Sequence, residues 1–221
     1  MNKRLAVKCL KEGWDLYLEN ASRVIPASLV QRIFALIIPV FIWKYAPAFY
    51  VYLYLVFVVL AIDTGMNLFF IKISRGEKAL YSDIFAGFKI YKKATLTQAI
   101  FALLVAGGTI MFIIPGIVLA TTFAFAEYAI IDKKASVRGS FLYSARIATG
   151  FRPQIFILIL LTLCLQLAAP DIIADPSKGK NLFLSYPGFW PLVTNILIFF
   201  VFAPWLDIAM AKAYAMLDRR K

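Results

Sequence analysis

Long apolar runs alternate along this chain with shorter charged stretches whose apolar residues recur every three or four positions. Six runs suit membrane-spanning helices: 24–43, 47–71, 96–114, 117–131, 153–169 and 189–209. At 1.5 Å per residue, the run 96–114 rises roughly 28 Å and 117–131 only about 22 Å, against a hydrocarbon core of about 30 Å. The second pair therefore reads either as a full hairpin or as a shallow, re-entrant one. The expected fold is all-α, a polytopic membrane helical bundle of six spans in three hairpins (24–71, 96–131 and 153–209). The chevron of Pro115 and Gly116 marks the turn of the second hairpin, because proline removes a backbone donor and glycine tolerates a tight reversal.

Each hairpin follows a stretch with helical patterning. Within 1–22, Ala6, Leu10, Trp14, Tyr17 and Leu18 fall on one face, with Lys8, Lys11, Glu12, Asp15 and Glu19 elsewhere. Within the connection 72–95, Leu80, Ile84, Phe88 and Tyr91 form a stripe beside Lys89, Lys92 and Lys93, and Ser82 suits a helix N-cap. Within 132–152, Val137, Phe141, Ala145 and Ala148 share a weaker face, suited to packing on protein. The first two predict amphipathic helices at the cytoplasmic interface. The spans that follow open alike, on Gln31-Arg32-Ile33-Phe34, Gln98-Ala99-Ile100-Phe101 and Gln154-Ile155-Phe156. This reads either as a triplicated unit of one interfacial helix and one hairpin or as the common look of apolar helices.

Charge orients the threading. The chain carries 24 Lys+Arg against 12 Asp+Glu. The basic residues concentrate in 1–23, 72–93, 133–152 and the tail 210–221, which six spans bring to one side. The opposite side keeps Lys44, Lys178 and Lys180, the last two near Asp171 and Asp175 in an external loop, 170–188. The positive-inside rule makes both termini cytoplasmic. The net charge of +12 then reflects orientation and anionic phospholipid headgroups rather than nucleic acid.

Composition narrows the chemistry. Of 221 residues, 62% are hydrophobic and 16% charged, with no histidine, and mean hydropathy is +0.79. The commonest general base and metal ligand is missing, and Cys9 and Cys164 form no paired motif. Phosphate-loop, HExxH and GxSxG signatures are absent. No metal or cofactor is expected, and the first twenty residues are too charged for a signal peptide.

Four ionisable residues inside the runs stand out, since such groups are costly in lipid unless paired or hydrated. Arg32, Asp63, Glu127 and Asp207 all fall in the half nearer the basic side. They suit a polar cluster lining a cavity or proton path, with Arg32 and Asp63 as the first pair. The plainer reading is an inter-helix salt bridge that holds helix register, with Asp207 snorkelling or meeting Lys212. Lys8, Lys11, Lys89, Lys92 and Lys93 are candidates for contact with headgroups or a partner. Pro39 and Pro204 read as helix kinks, Gly107-Gly108 as a close helix contact, and the aromatic residues around Trp43 to Tyr54 as an interfacial belt.

The order of Lys11-Glu12-Gly13-Trp14, Arg75-Gly76-Glu77-Lys78, Asp83-Ile84-Phe85-Ala86-Gly87-Phe88, Ile114-Pro115-Gly116-Ile117, Ser144 and Thr149-Gly150-Phe151 resembles a family of uncharacterised bacterial six-span membrane proteins. That family is similar to the membrane domain attached to some glycerophosphoryl diester phosphodiesterases. The resemblance implies a location in the bacterial cytoplasmic (inner) membrane and a membrane module that accompanies catalysis elsewhere, and it supplies no catalytic residue. The expected function is a non-catalytic scaffold or accessory subunit, with a membrane protein partner or a homo-oligomer. The alternatives are a small transporter or channel using the charge cluster, and a lipid-modifying enzyme.

Overall fold

A computed structural model describes residues 5–168 and 189–220. Among these the chain is helical throughout, without strands. Five helices are long and apolar enough to cross a membrane, or six if the bent pair Val137–Ala148 and Arg152–Ala168 counts as one. The external loop 170–188, together with Lys3, Arg4 and Lys221, lies outside the described residues.

The first long helix is continuous from Leu5 to Tyr45. It comprises α1 (Leu5–Arg32), a π-helical turn (Ile33–Ile37) and α2 (Ile38–Tyr45). Its partner runs through α3 (Ala48–Tyr54), a second π turn (Leu55–Val59) and α4 (Leu60–Arg75). The chain end combines α10 (Phe189–Leu197), a third π turn (Ile198–Phe202) and α11 (Ala203–Asp218). Two of these π turns have an evident cause. Pro39 and Pro204 have no N–H to offer the carbonyl four residues back, which is Ala35 or Phe200, and each of those lies inside the π turn just ahead. The released Phe200 carbonyl accepts from the Tyr17 hydroxyl at 2.9 Å. The expected kinks are thus π turns, and the turn at Leu55–Val59 has no proline to account for it.

The core sits at the basic end. Tyr214, Phe69, Phe70, Phe125, Ile62 and Met66 are its largest fully buried side chains. The α1 segment carrying Ala6, Cys9 and Tyr17 packs into that core against α11. Gly13 makes this possible, since a Cβ there would lie 3.0 Å from the Ala209 Cα. Trp14 meets Trp205 edge to face at 5.4 Å, and the Trp205 indole donates to the Leu10 carbonyl at 2.9 Å. The predicted free interfacial helix is therefore buried on one side in protein and continues without interruption into the first span. Only Leu18 of its expected stripe remains exposed, at 57%.

The segment Tyr81–Ile90 is a 3-10 helix, and the α-helix α5 (Tyr91–Met111) begins directly after it. A three-residue period replaces the expected stripe: Ile84 and Gly87 face inward, while Phe85 and Phe88 stay exposed. Its backbone lies directly on α4, because a Cβ at Gly65 would overlap the Ile84 carbonyl and one at Gly87 the Ala61 carbonyl. Asp83 rather than Ser82 closes the start, accepting from the Leu80 N–H at 2.8 Å and from Lys72 at 2.7 Å.

The second hairpin reverses at Phe112, in extended conformation, between α5 and α6 (Ile113–Phe123). The predicted turn residues are displaced from it. Pro115 lies in the first turn of α6, where a missing N–H costs no helical bond. Gly116 serves close packing instead, since a Cβ there would overlap Thr109 and one at Gly108 would approach Gly116 at 3.1 Å. Gly107, in contrast, faces open space. After α6 the helix breaks before α7 (Ala126–Asp132). Ser144, on α8 (Val137–Ala148), satisfies the break by donating to the Thr122 carbonyl at 2.9 Å and accepting from the Phe125 N–H at 3.1 Å. Thus α8 packs on protein, and α9 (Arg152–Ala168) leaves it at a bend of 108°.

Candidate functional site

All four charged residues picked out within the apolar runs sit close to π turns or to the α6–α7 break. Arg32 precedes the first π turn, Asp63 and Asp207 follow the second and third, and Glu127 opens α7. Each is half-buried within the protein. Arg32 lies between Asp207 and Asp63 electrostatically, and Asp63 in turn acts on Glu127, so the four form one cluster across α1, α4, α7 and α11.

The pairing inside this cluster differs from the simplest expectation. Asp63 accepts from the Gln31 amide at 2.8 Å, and among the described residues no ion pair within 4.0 Å joins it to Arg32. Consecutive helical residues point about 100° apart, and it is Gln31 whose side chain reaches Asp63. The Arg32 guanidinium instead stands 4.6 Å from the Phe199 ring centre, with its Nε buried and unbonded. Asp207 does not meet Lys212 either, since residues five apart lie on different helix faces. Lys212 bridges Glu12 at 3.2 Å and the Ser74 carbonyl at 3.3 Å.

Glu127 has neutral neighbours. The Gln98 amide donates to its Oε1 in a short hydrogen bond, and the Thr64 hydroxyl is 3.2 Å from the same oxygen. A cavity of about 40 Å³ lies against this group, lined by Thr97, Gln98, Phe101, Phe123, Ala124, Ala126 and Glu127. That volume admits a few water-sized occupants and no larger solute.

Gln31, Thr64, Thr97 and Gln98 are the site residues that charge-based reading of the sequence passes over. A signal existed for two of them. The recurring span opening Gln31-Arg32-Ile33-Phe34 and Gln98-Ala99-Ile100-Phe101 puts a glutamine at the same place in two hairpins, and each donates to an acid on the returning helix, Asp63 or Glu127. The third glutamine, Gln154, leaves its buried Oε1 without a partner.

A second polar centre closes the basic end. Arg75 makes a two-pronged contact with Asp132 at 2.6 and 2.8 Å and reaches Asp218 at 3.2 Å. Asp218 also takes Lys133 at 2.9 Å and the Tyr143 hydroxyl, while Tyr214 donates to Asp132 at 2.8 Å. Burial, with the Asp218 carboxylate beside it, pushes the Tyr143 phenol above its ordinary range. Every member of this centre has partners, which makes it a structural lock joining α4, α7, α8 and α11.

Of the surface lysines, Lys8 pairs with Glu12 at 3.5 Å along its own helix. Lys11, Lys89, Lys92 and Lys93 are exposed and form no ion pair among the described residues. Lys89 follows Phe88 and Phe85, which are 43% and 44% exposed, with Tyr81 at 50%. Among the described residues no group of His, Cys, Asp and Glu suits a metal ion of the kind such clusters hold. Comparison of the chain with family models, curated proteins and solved structures finds no match.

Proposed function

We propose that this chain is a non-catalytic scaffold or accessory subunit of the bacterial cytoplasmic membrane, crossing it six times with both termini in the cytoplasm. The observation that carries the reading is the unpaired basic and aromatic surface of 80–93. There Lys89, Lys92 and Lys93 are exposed beside Tyr81, Phe85 and Phe88, whereas the acid of the same segment, Asp83, is taken up in an ion pair with Lys72. Aromatic rings flanked by lysines suit the headgroup layer, where anionic phospholipid attracts each basic residue by about 1 kcal/mol. The same face is open to an acidic segment of a membrane protein partner. The sequence resemblance to a membrane module that accompanies a catalytic domain is consistent with this role.

The test is co-purification from membranes under mild detergent. A stoichiometric partner is expected with the native chain, lost when Lys89, Lys92 and Lys93 are all changed to Glu. A stable protein that purifies alone under gentle conditions sinks the scaffold reading. A small transporter or channel is the second reading, favoured by the gathering of Arg32, Asp63, Glu127 and Asp207 in one cluster, with a cavity against Glu127. Proton or ion flux in liposomes that Asp63→Asn abolishes would select it over the scaffold. The transporter reading would carry its chemistry with carboxylates and arginine, in keeping with a chain without histidine.

A further inference from the structure

We propose that the cavity at the α6–α7 break is a binding site for a monovalent cation of about sodium's size, held by the Glu127 carboxylate, the Gln98 side-chain carbonyl and the Thr97 hydroxyl.

Unused oxygen atoms are the starting point. The Gln98 Oε1 and Thr97 Oγ1 are both buried without a hydrogen-bond partner, and both residues line the cavity. Thr97 itself is only 1% exposed. Thr95 also leaves a buried hydroxyl unbonded, but it does not line the cavity, whereas Thr97 does. Thr64, Thr109, Thr121, Thr122, Thr149 and Thr162 each donate back to a carbonyl four residues earlier in their own helix. Thr97 has the same option and does not take it. Leaving a buried polar group without a partner forfeits its hydration with nothing in return, so two beside one cavity point to an occupant.

Charge says which kind. Among the described residues Glu127 has no Lys or Arg within 4.0 Å, and the side chains hydrogen-bonded to it, Gln98, Thr64 and Asn67, are neutral. The cluster sets three carboxylates, Asp63, Glu127 and Asp207, against one guanidinium, Arg32, which acts on Asp63 and Asp207. A cation against Glu127 reduces that imbalance, which water leaves untouched. The donors are all oxygen, the ligand type preferred by hard cations, and a single carboxylate matches a single positive charge. The cavity, about 40 Å³, holds an ion with a water or two beside it and nothing larger. Its position at a broken helix is one where membrane proteins commonly bind coupling ions.

Occupancy is read by stability, which requires neither partner nor flux and so stands apart from the test of the proposed function. The purified full chain in detergent is unfolded thermally in sodium chloride or choline chloride at fixed ionic strength. Sodium is expected to raise the midpoint by about 3–5 °C for each tenfold increase above its dissociation constant. Thr97→Val keeps the side chain's shape and removes the hydroxyl, and it should cut the sodium effect at least about threefold; Glu127→Gln should abolish it. If Glu127→Gln does not fold, Gln98→Leu takes its place with the same expected loss. Equal midpoints in sodium and choline, the result of a site filled by water or a proton only, overturn the proposal. So does a Thr97→Val variant with the full sodium response.

Discussion

Arg75 carries the largest single polar commitment in the molecule. Its fork holds Asp132 and reaches Asp218, and the side chains of Arg75 and Asp132 are 18% and 9% exposed, so water screens the contact weakly. Removing one partner of such a pair leaves a buried charge uncompensated, at a cost of about 3–5 kcal/mol. Arg75→Ala should therefore lower the thermal midpoint by about 6–15 °C, whereas Arg75→Lys keeps the charge, loses the fork and costs less. A midpoint within a degree or two of the native value would remove Arg75 from the lock. The intramembrane residues follow a different logic. Arg32 and Asp63 are charges that sequence alone picks out, but their partners, Phe199 and Gln31, depend on which way each helix is turned.

At the scale of elements, backbone contact between Tyr81–Ile90 and α4 decides how the first two hairpins meet. Glycine to alanine normally favours a helix by about 1 kcal/mol. At Gly65 and Gly87 that gain is outweighed, because the new Cβ would meet a backbone carbonyl that cannot step aside. Gly65→Ala is expected to destabilise by about 1–3 kcal/mol through overpacking. Gly107→Ala, at an open position of α5, should be neutral or stabilising. Thermal unfolding of the two variants side by side checks the contrast, and an equal response would show that the close approach does not matter. The elements also mark where sequence patterning reaches its limit. Apolar periodicity locates the helical stretch at 82–93, yet it cannot tell an α-helix from a 3-10 turn laid on a neighbour's backbone. Likewise Pro115-Gly116 reads as a turn by local chemistry, while Gly116 is needed opposite Thr109 and the reversal falls at Phe112.

Across the whole molecule, burial is uneven. The basic end is a packed core around Tyr214 and Phe69, whereas the tip of the second hairpin leaves Ile110, Met111, Phe112, Ile113 and Ile114 between 70% and 85% exposed. Such a run of bare apolar side chains suits lipid and not water. The six-span topology proposed above makes a direct prediction in a Cys164→Ser background, where the remaining Cys9 is fully buried. Single cysteines at Lys93 and Arg138 should react with an impermeant thiol reagent from one side of sealed vesicles, and one at Lys44 from the other. Labelling of Lys93 and Arg138 positions from opposite sides would mean that the second hairpin does not return.

The helical class, the apolar runs and the clustering of basic residues between those runs are properties of local composition and periodicity, and they are legible in the chain by itself. So are Arg32, Asp63, Glu127 and Asp207, because an ionisable residue in an apolar run is conspicuous wherever it later points. Tertiary structure decided the rest. It turned Gln31 and Gln98 from a recurring pattern into donors to two acids, buried one face of the first helix against α11, and left Thr97 and Gln98 with unmet oxygens around a cavity. The physical reason is rotational. A helix's sequence fixes which residues share a face, but only packing against other helices decides what that face meets.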